Sequence, residues 1–174
     1  MPNTNFTQYC KTISQSDNFS DCVKEIASCL SNDEMSNPAL KTIISKHNIQ
    51  NIQDIKPELL NFIIGYMDCI LSDNIIGDLE KHNIKYLKTL FRIKEGDFLK
   101  FKQSDIARIL HEQFMILYSD NKISKDESIH NAKLQSIFDL SYDQFDEFRR
   151  LEISRALKEG AKITDLDTAL RNSK

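Results

Sequence analysis

Two short segments carry the same acids at the same spacing. Ser72-Asp73-Asn74-Ile75-Ile76-Gly77-Asp78-Leu79-Glu80 and Ser119-Asp120-Asn121-Lys122-Ile123-Ser124-Lys125-Asp126-Glu127 share the pattern D-N-x-I-x-x-x-E. Carboxylates at fixed spacing in a loop suit a hard divalent cation such as calcium. Asp73, Glu80, Asp120 and Glu127 are therefore the candidate metal ligands. The loop is not an EF-hand. With Ile123 at the eighth loop position and Glu127 at the twelfth, the first and third positions fall on Ile116 and Tyr118. In the other segment they fall on Cys69 and Leu71. None of these side chains is a carboxylate, so two of the main calcium ligands are missing.

Capping accounts for much of the same pattern without a ligand. Asn74 and Asn121 follow expected helix ends, where a left-handed residue is wanted and Asn is the next choice after Gly. Ser124 and Glu127 form an S-x-x-E capping box, and Gly77 with Glu80 is a weaker version. Asp73 and Asp120 are left over, because a carboxylate at a helix C-terminus opposes the dipole.

Other chemistries are poorly supplied. Glu127 and His130 make one E-x-x-H, whereas a di-iron bundle needs two and two further glutamates. His47, His82 and His111 are scattered and read as surface or helix-end residues. Cys10, Cys22, Cys29 and Cys69 form no C-x-x-C pair and read as core thiols. No Ser–His–Asp, Cys–His or phosphate-loop motif is visible, and the chain reads as a non-enzyme. Phe91, Phe98, Phe101, Phe138, Phe145 and Phe148 recur on expected core-facing stripes, not as an exposed nucleic-acid platform.

The elements that must position these residues follow from an internal repeat. Shifting residues 58–101 by 47 onto 105–148 aligns identical residues without a gap, among them Leu87 with Leu134, Phe91 with Phe138, Phe98 with Phe145 and Phe101 with Phe148. Apolar positions match around them, as in Leu59/Ile106, Ile63/Leu110 and Met67/Phe114. Each copy reads as three helices. In the first they span about Pro57–Ser72, Asp78–Arg92 and Glu95–Lys102. In the second they span about Asp105–Ser119, Lys125–Asp139 and Tyr142–Glu159. Upstream, a helix is expected from Ser20 to Leu30. A second opens with Asn37 as N-cap and Pro38 at its first position. Residues 1–18 are polar and read as loosely ordered. Gly160 should end the last long helix, with a short helix from Thr164 to about Arg171 beyond it.

Composition agrees with an all-helical reading. The chain has 174 residues, 40% apolar and 28% charged, with only 4 Gly and 3 Pro. That is enough to bury a core and too few turn formers for a β-sandwich. A net charge of −3 argues against a general polyanion binder, so no nucleic-acid partner is expected. The most apolar run, Leu59 to Leu71, is shorter than the roughly 20 residues of a spanning helix and reads as a central buried helix. No signal-peptide layout is present, and no transmembrane segment, so the expected location is cytoplasmic.

The stretch Tyr118 to Glu127, followed by Leu134 and the Leu140-Ser141 helix break, resembles the TerB-like (tellurite-resistance) domain. That family typically reads A-D-G-x-I-x-x-x-E, then an apolar helix and a short break. Asn121 stands where the family usually has Gly. The first copy departs further, with Ile75 and Leu79 at usually polar positions. The resemblance covers roughly Pro57 to Glu159. It implies two similar all-helical halves with acidic residues on one face. It also implies an accessory protein-interaction module of stress-resistance, phage-defence or membrane-associated assemblies, some members of which bind divalent metal. By position, Asp73, Glu80, Asp120 and Glu127 carry over. The expectation is therefore an all-α bundle of about eight helices with a pseudo-two-fold repeat (57–101 and 104–148). Residues 1–50 form an N-terminal helical extension packed on a TerB-like domain at 51–174. Its function is a non-enzymatic interaction module with a protein partner. The alternatives are a divalent-metal module or sensor and an immunity or secretion-chaperone protein.

Overall fold

A computed structural model describes residues 4–72, 76–117 and 125–158, all helices and short connections with no strand among them. The helices are α1 (Thr4–Ser14), α2 (Asp21–Ser31), α3 (Asn37–Lys46), α4 (Lys56–Leu71), α5 (Asp78–Leu90), α6 (Asp97–Leu117), α7 (Lys125–Ile137) and α8 (Tyr142–Lys158). A 3₁₀ turn, Ile52–Ile55, precedes α4. The fold is all-α, as the periodicity predicts. The chain divides into two compact units, Met1–Asp97 and Phe98–Lys174. This division falls inside the span 51–174, and α1–α3 belong to the same unit as α4 and α5.

In the first unit α4 is the central buried helix. Leu59, Leu60, Phe62, Ile63, Tyr66 and Met67 are all inaccessible to solvent. Helix α1, expected to be loose, is ordered against it. Phe6, Tyr9, Cys10 and Ile13 fall at i, i+3, i+4 and i+7 and are buried. The Tyr9 hydroxyl donates to the Phe62 carbonyl oxygen at 2.6 Å. A β-carbon at Gly65 would lie 2.6 Å from that hydroxyl oxygen, so the close approach of α1 depends on glycine there.

Caps fix the neighbouring helices. Ser20 caps α2, accepting the Val23 N–H, and Glu58 of α4 accepts both the Ser20 amide and, at 2.8 Å, its hydroxyl. Helix α3 is capped by Ser36, not Asn37. Ser36 is extended (φ −144°, ψ 166°) and accepts the Ala39 N–H at 3.2 Å, which moves Asn37 inside the helix. Glu25 of α2 receives Lys46 and His47 from the end of α3, each at 2.8 Å. Hydrogen bonds from Lys46 and then His47 hold the Glu25 carboxyl below its usual range. Lys56 and Asp97 form a 2.6 Å ion pair, with side chains only 8% and 13% exposed, and Asp97 also accepts the Lys94 amide.

In the second unit α6 is two helices joined across Lys102, whose φ −138° and ψ 28° are not helical. The helices expected at 95–102 and 105–119 are thus continuous apart from one residue. Ile106, Ile109, Leu110 and Phe114 of α6 are buried, as are Leu134, Ile137 and Phe138 of α7 and Phe145 of α8.

Local events recur at the 47-residue spacing. Arg92 and Asp139 are both left-handed, at φ 54° and 53°. The Ile93 amide donates to Lys88 and the Leu140 amide to Gln135. The next helix is then capped alike, Asp97 accepting the Lys94 amide and Gln144 the Ser141 amide. Phe91 and Phe138 are both buried.

The cysteines do not all match the core reading. Cys10 and Cys22 are buried and Cys29 is half-buried, but Cys69 is exposed because it lies on the outer face of α4. All four are free thiols. Gly160 and the short helix expected at 164–171 lie outside the described residues.

Candidate functional site

Of the four repeated carboxylates, Glu80 has a described side chain. It lies in the first turn of α5, where its Oε2 accepts the Gly77 amide at 2.6 Å. This is the reciprocal half of a capping box, with no side chain on Gly77 to supply the other half. Ile76 beside it is buried. Asp73 and Asp120 lie outside the described residues, as do Asn74, Asn121, Ile123 and Ser124. Glu127 belongs to the first turn of α7, and its side chain is likewise outside them. Among the described residues no group of three or more His, Cys, Asp or Glu side chains could hold a metal ion.

Buried polar chemistry sits instead between successive helices. Asn83 Nδ2 donates to the Tyr66 hydroxyl at 3.0 Å. His130 Nε2 lies 3.0 Å from Gln113 Oε1, so that nitrogen donates. Residues 66 and 113, and 83 and 130, are again 47 apart. Burial pushes the Tyr66 hydroxyl up to about 12. Burial, and then the Lys133 ammonium, push the His130 imidazole below its ordinary value, keeping it neutral. Burial likewise raises the Cys10 thiol to about 12 and the Cys22 thiol to about 11. Protonated and enclosed, these sulfurs are structural and not nucleophilic.

A groove of about 1090 Å³ lies in the second unit, between α6 and α8. Phe101, Leu110, Phe114, Phe148 and Leu151 supply its apolar lining. Phe101 and Phe148 are the repeated pair expected in the core. Phe101 is 39% exposed and Phe148 half-buried, so both line the groove. Their helical spacing is right, but the face they occupy is uncovered among the described residues. Lys100, Arg108 and His111 stand on the rim. Lys100 Nζ sits 5.1 Å from the centre of the Phe101 ring, within cation–π range. Arg108 Nη1 reaches Glu112 at 3.2 Å along the helix surface.

The same register explains why this face is open. Positions 107 and 111 of α6 correspond to 60 and 64 of α4. In α4 they are Leu60 and Ile64, both buried. In α6 they are Ala107 and His111, one small and one polar. The signal is therefore present in the sequence, as one large apolar residue of the first copy reduced to alanine and one replaced by histidine in the second. Leu151 adds a 61% exposed side chain at one end of the groove, and Met115, Ile116, Ile129 and Tyr142 are exposed elsewhere in this unit.

No helix among the described residues is long and apolar enough to cross a membrane. Compared with known proteins, the chain matches no family model, no curated protein and no solved structure.

Proposed function

We propose that this chain is a non-enzymatic helical interaction module of a bacterial stress-resistance or defence assembly, and that the α6/α8 groove receives its protein partner. The observation that carries this reading is the groove itself. Its volume of about 1090 Å³ is at the upper end of the roughly 300–1,000 Å³ of small-molecule sites, and it combines aromatic and aliphatic side chains with the basic groups Lys100 and Arg108. An amphipathic partner helix suits it, with apolar anchors against Phe101, Phe148 and Leu151 and acidic residues facing Lys100 and Arg108.

The test is affinity capture from the native host with the wild-type chain and with Phe101→Asp and Leu151→Asp. The reading expects a stoichiometric partner with the wild type and its loss from both variants, each still folded by circular dichroism. A partner retained by both variants would place recognition elsewhere.

A divalent-cation role for the acidic loops rests on one observation. The helix α4 ends at Leu71, and Asp73 follows where a carboxylate opposes the helix dipole, so capping does not account for it. Calcium or manganese would then raise the melting temperature, since binding to the folded state alone is stabilising. Asp73→Asn and Asp120→Asn would remove that shift while leaving the metal-free melting temperature unchanged.

A further inference from the structure

The surface of α8 changes character across the ridge formed by Leu151. Phe148 and Leu151 line the groove against α6. On the other side of Leu151 lies a concavity of about 370 Å³, which shares Leu151 and Ser154 with the groove and takes no lining residue from α6. Asp143, Asp146, Glu147 and Arg150 line it. At 3.6 residues per turn, Phe148 falls to one side of Leu151, and Asp143, Glu147 and Arg150 fall to the other. The order across this face of the second unit is thus the edge of α6, the groove, the Leu151 ridge and the acidic concavity.

The two margins of that face carry opposite charge. Lys100 and Arg108 line the α6 side of the groove, and among the described residues no carboxylate does. In the concavity Asp146 is compensated by Arg149 and by Arg150, the latter at 2.6 Å. Asp143 and Glu147 are exposed, and neither is in an ion pair among the described residues. Lys100 is exposed on the opposite margin and is in none either. Between the margins the apolar surface is accessible: Phe101 and Leu151 are exposed, and Leu99 and Phe148 are half-buried.

A surface ordered in this way is complementary to itself. A two-fold axis along the Leu151 ridge reverses the order in the facing copy, so each ridge meets the other copy's groove. The acidic margin of each copy then faces the basic margin of the other, and every such pairing occurs twice. Margins of like sign would repel in the same arrangement. We infer that, until the protein partner arrives, a second copy of this chain occupies the groove, with Leu151 of each copy between α6 and α8 of the other. The inference rests on the reading of the groove as a docking surface and adds what covers it in the isolated chain. Self-association hides Phe101 and Leu151, and a partner must displace the second copy to bind.

The experiment is sedimentation equilibrium of the full chain over about 1–300 μM. The wild type is expected to be a reversible dimer with a dissociation constant below about 100 μM. Three variants should each weaken it at least about tenfold: Leu151→Asp, the basic-margin reversal Lys100→Glu with Arg108→Glu, and the acidic-margin reversal Asp143→Lys with Glu147→Lys. All of these side chains are exposed, so circular dichroism should show unchanged helix content. Mixing the two margin-reversed chains in equal amounts should restore a dimer of about wild-type strength, because every contact again joins opposite charges. The inference is overturned if the wild type is monomeric throughout, if any of the three variants dimerises as the wild type does, or if the mixture stays monomeric. Host capture separates this inference from the groove reading. A monomeric wild type that captures a host protein through Phe101 and Leu151 overturns self-association alone. A dimer with the expected charge dependence that captures nothing upholds self-association and removes the host partner.

Discussion

A left-handed helix-ending turn and a buried polar pair recur 47 residues apart in the two units, and the units differ in what stays exposed. In the first, α1 packs on α2 and α4, and Leu60 and Ile64 of α4 are buried. Its large exposed apolar side chains among the described residues are Leu79 and Tyr86. In the second, Phe101, Met115, Ile116, Ile129, Tyr142 and Leu151 are exposed, and the matching face of α6 lines a groove. The first unit packs an N-terminal helix on α4, whereas among the described residues of the second a larger set of apolar side chains stays exposed. The buried polar pair between successive helices differs in the same spirit: tyrosine with asparagine in one, glutamine with a titratable histidine in the other.

The largest expected effects test whether the plan is shared. Phe91→Ala and Phe138→Ala should each cost about 3–5 kcal/mol in urea unfolding, because both rings are fully buried. A large loss at one and not the other would break the equivalence. Lys56→Met should cost about 3 kcal/mol by stranding Asp97, and Lys56→Met with Asp97→Leu should recover much of that loss. Ser20→Ala removes an N-cap and a hydroxyl bound to Glu58, for about 0.5–2 kcal/mol.

Acid should separate the two units. The folded pKa of His130 lies below its unfolded value, so its contribution is present above roughly pH 6.5. It is lost as pH falls, because the unfolded chain takes up the proton first. Hydrogen exchange at α6 and α7 should therefore accelerate on acidification from pH 7 to pH 5, relative to the base-catalysed trend, more than at α4 and α5. His130→Asn, which installs the residue of the first copy, should flatten that difference. The smallest effect is expected at Leu151→Asp. With its side chain 61% exposed, stability should change by no more than about 0.5 kcal/mol.

Much of this is legible in the sequence. Helix types and most boundaries follow from apolar period and caps, and the helix over Asp78–Leu90 starts at the expected residue. Helix α1 was hidden by composition: Phe6, Tyr9, Cys10 and Ile13 have helical spacing, but Asn, Thr, Ser and Gln around them suggest disorder. Ser36 outcompeted Asn37 as a cap because both are good caps and only backbone geometry chooses between them. The exposure of Phe101 and Phe148 could not be read from their own period, which states that a stripe exists and not what covers it. Comparing Leu60 and Ile64 with Ala107 and His111 would have shown the difference.

The central claim is that the open face of the second unit is the docking surface. Hydrogen–deuterium exchange of the chain with and without its captured partner tests it most directly. The account predicts slower exchange in residues 99–114 and 148–154 on binding, with α2 through α4 unchanged. Protection confined to α1–α5, with the groove exchanging as freely as before, would contradict it.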